Sequence, residues 1–332
     1  MNPELDAYKT RRINNLRNIY SINCKRVVQY YNNLIYNMSR SRISNKTQQI
    51  QKLMNECKKT LMLLAQKLDT EISAIQNLMP AVIAPFQAKK ALMVGINYVG
   101  TPNQLNGCIN DVESMKVRLT TNYGFDPANI TTLTDDTANK PTRDNILMEF
   151  TKLLANANSG DLLFFLYSGH GSYTMDLNGD ETDGRDEMII SSDLKGILDD
   201  DLKKIITANL KKDVTLFALF DSCFSGSVLD LRYQYIDSLN YDTFTENDRQ
   251  LDTPGNVLMI SGCSDNQTSA DANINNKFNG AMTWSFLECV TPDICWRDLL
   301  KNMRSTLQSS SFSQLPQMSS GVIFNIDSKV FL

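Results

Sequence analysis

An α/β sandwich built on a mainly parallel sheet and preceded by an α-helical hairpin is the fold predicted by three features of the 332-residue sequence. Charge divides the chain: residues 1–90 hold 15 Lys or Arg against 5 Asp or Glu, and the remainder holds 18 against 32. Hydrophobic spacing divides it near the same place, with steps of three and four up to about residue 80 and short apolar runs afterwards. Those runs alternate with helical segments, the order in which crossover helices connect parallel strands.

The elements follow in order. Ile13, Leu16, Tyr20, Cys24, Val27, Tyr31, Leu34 and Met38 form one stripe on a first long helix. SRSRISNK interrupts it, and Leu53, Cys57, Leu61, Leu64, Leu68, Ile72 and Ile75 form the stripe of a second, which Pro80 and Pro85 end. The pair makes a basic hairpin or coiled-coil arm, residues 1–88, suited to packing or self-association. Nucleic acid or anionic lipid would also suit its charge, but no interleaving of aromatic and basic residues supports either strongly. From Ala91, ALMVGIN is a strand, DVESMKVRLTTNY a helix and NITTLTD a strand. TRDNILMEFTKLLANA is a helix that Thr142 can cap. DLLFFLYSG and DVTLFALFDSC are apolar runs of the kind buried on both faces of a parallel sheet. Between them come the short strand EMIIS and the helix DLKKIITANL. NVLMISGC, the helices GAMTWSFLECV and WRDLLKNMRSTLQ, and a last strand near GVIFNI complete the order. The polar stretch 231–254 reads as an exposed connector between residues 89–230 and 255–332.

Composition removes several classes of function. No apolar run approaches the roughly 18 residues of a membrane span. The N-terminus lacks the apolar core of a secretory signal, so an intracellular, cytoplasmic setting is expected. Seven scattered cysteines, odd in number and without paired spacing, argue against a disulfide framework. A single histidine and no cysteine pair argue against structural zinc.

That single histidine, His170, follows one of the two most apolar strands, and Cys223 follows the other. Ligands of open parallel sheets collect at the carboxyl ends of strands. If the two strands are neighbours, an imidazole and a thiol share one crevice, the pairing that makes a cysteine nucleophilic. Gly169 and Gly171 let the chain turn beside the histidine, and the amides of Gly171 and Cys223 could hold an oxyanion. The bland alternative is a satisfied polar histidine and a buried, inert thiol.

YSGHG and DSCFSGS, with LNGCINDV upstream and SGCSDNQTSAD and QLPQMSSG downstream, resemble the metacaspase family of caspase-like cysteine peptidases over roughly residues 91–325. The resemblance implies a caspase-like αβα sandwich with a large-subunit-like part, 89–230, and a small-subunit-like part, 255–332, in the type I order. It implies Cys223 as nucleophile and His170 as general base and acid. Phe224 stands where the family usually has histidine, which leaves His170 as the only imidazole. It places Cys108, Asp111, Ser168 and Asp221 in the specificity pocket. The two carboxylates favour Arg or Lys before the scissile bond of a protein or peptide substrate, and Asp111 could equally serve the start of its helix.

Ten acids lie between Asp176 and Asp201, against Arg185 and Lys195. Aligned with the family, Asp186, Asp199, Asp200 and Asp230 would bind calcium, which suits hard oxygen donors. The alternative for Asp199 to Asp201 is capping of the following helix. The expected protein is thus a calcium-dependent cysteine endopeptidase, made as a precursor with Lys89, Lys90, Arg232 and Arg249 as candidate self-cleavage sites. The rival is an inactive caspase-like scaffold that works through its helical arm, and Phe224 alone points that way.

Overall fold

The computed structural model describes residues 3–41, 43–77, 86–175, 185–223, 228–235, 245–247, 250–262, 271–274, 277–322 and 326–330. The chain forms two units, Met1–Val82 and Ile83–Leu332. The division falls a few residues before the boundary expected at 88.

The first unit is the expected hairpin, α1 (Pro3–Ser39) and α2 (Lys46–Gln76). The residues of both stripes are the half-buried or buried ones, and Leu16 and Ile75 are the most enclosed apolar side chains. A lysine meets the carbonyl end of each helix: Lys46 Nζ donates to Ser39 O at 3.0 Å and Lys9 Nζ to Gln76 O at 2.8 Å. A cation is favourable there because terminal carbonyls lack helical partners and carry the negative end of the dipole. No described helix is long and apolar enough to cross a membrane.

The second unit holds β1 (Lys89–Gly95), α3 (Cys108–Asn122), β2 (Ile130–Thr134), α4 (Arg143–Ala155) and β3 (Leu162–Ser168). Next come β4 (Gly171–Met175), β5 (Arg185–Ile190), β6 (Gly196–Leu198), α5 (Asp199–Asn209) and β7 (Thr215–Asp221). The chain continues through β8 (Tyr233–Tyr235), β9 (Thr245–Glu246), β10 (Asn256–Ser261), β11 (Asp271–Ile274) and β12 (Lys277–Gly280). It ends with α6 (Ala281–Cys289), α7 (Trp296–Ser309) and β13 (Gln317–Ser320).

The main sheet runs β2-β1-β3-β7-β10-β13-β8-β9. Its first five strands are parallel, and the last three add antiparallel pairs. All seven residues of β3 and of β7 are buried, as their apolar runs predict. Alternate strand residues feed two cores. Met93, Phe164 and Phe217 pack with Val112 of α3, Phe286 of α6 and Leu300 of α7. Val94, Phe165 and Phe220 pack with Phe150 of α4 and Leu202 of α5. This is the expected αβα sandwich. Thr142 caps α4, its hydroxyl accepting from Asn145 N.

Three expectations need correction. The connector 231–254 is not simply exposed, because Leu231, Tyr233, Tyr235 and Gln250 are buried and β8 pairs with β13. Two of its tyrosines join the apolar core, so the sheet edge takes in a stretch whose overall polarity suggested solvent. The last strand is QMSS, just before GVIFNI, and 323–325 lie outside the described residues. α3 starts at Cys108 and α5 at Asp199, each ahead of the apolar periodicity that suggested it. The small sheets β4-β5-β6 and β11-β12 had, apart from EMIIS, no apolar run to announce them.

Candidate active site

β3 and β7 are neighbours in parallel register, with Ser168 opposite Asp221. The loops that follow therefore deliver His170 and Cys223 from adjacent strand ends. Backbone contact brings them closer: a Cβ built on Gly171 would lie 1.9 Å from Cys223 O. No side chain fits between these loops, so glycine at 171 is a requirement of their approach. Gly169 N also donates to Asp221 O at 3.2 Å. His170 and Cys223 are both half-buried. Gly171→Ala is expected to force the loops apart and to lower turnover by at least about tenfold, a cost of about 1.4 kcal/mol or more. Kinetics on the purified variant, beside its melting temperature, check this.

The imidazole is held by groups that sequence reasoning missed. His170 Nε2 lies 2.6 Å from Asn103 O. A carbonyl can only accept, so this contact puts the proton on Nε2 and leaves Nδ1 as the basic nitrogen. Tyr98 lies against the ring, with centroids 4.6 Å apart. His170 N donates to Tyr98 Oη at 2.9 Å, and Tyr167 Oη donates to His170 O at 2.7 Å. Asn103 acts through its backbone, so its residue type carries no signal. Tyr98 could have been flagged only as a polar aromatic just past the end of β1.

Three of the four expected pocket residues converge. Ser168 Oγ donates to Asp111 Oδ2 at 2.7 Å, and Gly280 N lies 3.0 Å from both Asp111 oxygens. Thr283 N, in the first turn of α6, donates to Asp221 Oδ2 at 2.7 Å. A Cβ on Gly280 would sit 2.1 Å from Asp221 Oδ2 and 2.7 Å from Asp111 Oδ2, so the two carboxylates flank this glycine. Asp111 is 0% exposed and Asp221 3%, so both carboxylates are buried and engaged by main-chain donors. Gly280 and Thr283 come from the far end of the chain, and no local pattern linked them to Asp111. Cys108 is buried in the first turn of α3, where its N–H donates to Asn97 Oδ1 at 3.0 Å.

The acids expected to bind calcium fall into two groups. Asp186, Asp199 and Asp230 are buried, whereas Asp200 is half-exposed and paired with Lys204 at 2.9 Å. Asp199 Oδ2 accepts from Glu187 N at 2.7 Å and Oδ1 from Asp200 N at 2.6 Å. Burial, then the charge of Asp230 and more weakly that of Asp186, push the Asp199 carboxyl up to about 7 despite those bonds. Asp199 therefore binds a proton more readily folded than unfolded. Its contribution to stability is full below about pH 4 and is lost as pH rises through about 7. Lys203 Nζ stands 3.8 Å from Asp230 Oδ2. Among the described residues, no three His, Cys, Asp or Glu side chains stand in a ligating cluster. The donors are nonetheless all oxygen, and their mutual repulsion leaves positive charge wanted, which fits a hard divalent cation. Residues 176–184 lie outside the described residues.

The candidate cleavage sites fare differently. Lys89 and Lys90 are not at an open junction: they pair with Leu162 and Leu163 inside the sheet. Lys89 Nζ donates to Tyr123 O at 2.6 Å, and Lys90 Nζ meets Asp161 at 2.8 Å. A peptidase would have to pull β1 out of the sheet to reach them. Arg232 is half-buried and bonded to Asp252 at 3.0 Å. Arg249 and Phe224 lie outside the described residues.

Comparison with known proteins agrees with the geometry. Residues 89–232 match the family model described as metacaspase, peptidase C14 domain. The chain is 39% identical over 284 residues to Metacaspase-1 of Kluyveromyces lactis, covering 70% of this chain and 65% of that one. It is 38% identical over 284 residues to Metacaspase-1 of Meyerozyma guilliermondii, covering 70% and 69%. The chain thus spans roughly two thirds of the length of these relatives. A crystal structure of a Geobacter sulfurreducens protein superposes with a TM-score of 0.55 at 25% identity, covering 74% of this chain and 98% of that one.

Proposed function

The chain belongs to the metacaspase family, and from that premise we propose that it is a cysteine endopeptidase cutting after Arg or Lys and dependent on calcium. The observation that carries the reading is the contact between the His170 and Cys223 loops at neighbouring strand ends.

The reaction follows from the groups present. His170 Nδ1 takes the Cys223 thiol proton, and the thiolate attacks the scissile carbonyl carbon. The amides of Gly171 and Cys223 receive the developing oxyanion. The imidazolium returns the proton to the leaving amine as the C–N bond breaks, leaving a thioester. Water then gives its proton to His170 and attacks the thioester, releasing the acid and the thiol. Asp111 and Asp221 attract the basic side chain before the scissile bond, and Ser168 orients Asp111. The test is hydrolysis of fluorogenic Arg, Lys and Asp peptides with calcium or chelator. A preference for Asp would overturn the pocket assignment.

Calcium would be held by Asp186, Asp199 and Asp230, with Asp200 at the rim, and would offset the mutual repulsion that raises the Asp199 carboxyl. Lys203 supplies positive charge beside Asp230 in its absence. Lys203→Met is expected to bind calcium about tenfold more tightly by calorimetry, because the ion no longer displaces an ammonium. Unchanged affinity would remove Lys203 from the site, and no binding by either protein would remove calcium.

Self-processing is expected within the connector, at Arg232 or Arg249. The hairpin exposes Val28, Tyr30, Tyr36, Met54, Met62 and Leu63, which supports association through this arm. Sedimentation of the full chain with and without Tyr30→Ser and Leu63→Ser tests that role.

A further inference from the structure

We propose that Tyr98 is a positioning residue that fixes the orientation of the His170 imidazole and so holds Nε2 against the Asn103 carbonyl that sets its tautomer; this rests on the reading of His170 as the catalytic base. One short turn grips the histidine at two points. At its start, Tyr98 Oη accepts the His170 N–H at 2.9 Å while the ring lies against the imidazole. Five residues later, Asn103 O receives Nε2 at 2.6 Å.

The hydroxyl protons can be assigned consistently. Tyr98 Oη donates to Ile190 O at 2.6 Å, and Tyr167 Oη donates to His170 O at 2.7 Å. Tyr167 Oη also accepts Ile190 N at 3.1 Å, and the two hydroxyls lie 3.1 Å apart. The His170 peptide is thus held on its N–H by one tyrosine and on its carbonyl by the other. Burial opposes ionisation of both phenols, so both remain protonated donors. Gly169 completes the fit, since a Cβ there would lie 2.7 Å from Tyr167 Oη and 2.9 Å from Tyr98 Oη.

The turn that carries Tyr98 is itself constrained. Tyr98 has φ of 51°, a left-handed conformation unfavourable for an aromatic residue. Strain of this kind persists where surrounding bonds over-determine the backbone. Here Thr101 N and Oγ1 both donate to Tyr98 O, at 3.1 and 2.8 Å. Leu105 N donates to Asn97 O at 2.8 Å, and Asn97 N to Asp135 Oδ2 at 2.6 Å. A buried tyrosine that only filled space would need neither the strained backbone nor the bond to His170.

Because the chain contains one histidine, its imidazole nitrogens can be read without assignment ambiguity. The experiment uses the full chain labelled with 15N-histidine, comparing wild type, Tyr98→Phe and His170→Ala. Long-range 1H–15N spectra report the tautomer, iodoacetamide alkylation against pH reports the thiolate, and peptide hydrolysis gives kcat and KM. The wild type is expected to show the Nε2–H tautomer, with alkylation extending to lower pH than in His170→Ala. Tyr98→Phe keeps the ring and loses the hydroxyl. It is expected to show a tautomer mixture, an alkylation limb moved toward that of His170→Ala, and kcat lowered about ten- to a hundredfold with KM within twofold. A variant with a lower melting temperature but unchanged tautomer and alkylation profile would make Tyr98 merely structural. Identical alkylation by wild type and His170→Ala would overturn the reading of His170 itself.

Discussion

Cys223→Ala is expected to lower hydrolysis of Arg and Lys peptides by at least about 10³-fold, and His170→Ala to do the same. The sequence offers no second imidazole, because Phe224 follows the cysteine and His170 is the only histidine. In the proposed mechanism the two residues act as one unit, so the double variant is expected to be no slower than either single one. Folding is expected to survive both changes, since each side chain is only half-buried at a strand end while the strands themselves are fully buried. Full activity in either variant, measured on homogeneous protein, would remove that residue from the chemistry.

Asp221→Asn is expected to lower Arg and Lys turnover by about 10²-fold, corresponding to about 3 kcal/mol for a buried charge pair that loses one partner. An asparagine oxygen can still accept the Thr283 N–H that Asp221 Oδ2 accepts at 2.7 Å, so the start of α6 keeps its bond while the pocket loses a charge. Asp111 is a harsher position, because Gly280 N and Ser168 Oγ engage both of its oxygens and an amide NH2 would face donors. The diagnostic is the ratio of Arg to citrulline turnover, since citrulline keeps the shape of arginine without its charge. The wild type is expected to favour Arg strongly, and Asp221→Asn to lose most of that preference. An unchanged ratio would show that the charge of Asp221 does not select the substrate.

The parts of this molecule that the sequence made legible are those set by local repetition. The stripes of the hairpin could be traced residue by residue, and β3 and β7 were evident as seven-residue apolar runs buried on both faces. Elements held by long-range pairing were not evident. The connector carries two buried tyrosines in β8 because β13 offers it an open sheet edge, a partner some 80 residues away. Lys89 and Lys90 looked like an accessible basic junction, yet both join β1, and their ammonium groups find acceptors on elements that only the sheet brings near.

By itself, the sequence marked the residues proposed to carry the chemistry: one histidine and one cysteine after two core strands, and an acid surplus that repels itself. Tertiary structure decided what those residues meet. Strand order made β3 and β7 neighbours, the turn from Tyr98 to Asn103 took hold of the imidazole, and Gly280 came between Asp111 and Asp221. The reason is physical: side-chain identity and periodicity are local properties, whereas a tautomer, a buried carboxylate's partners and a lysine's access depend on atoms distant in sequence.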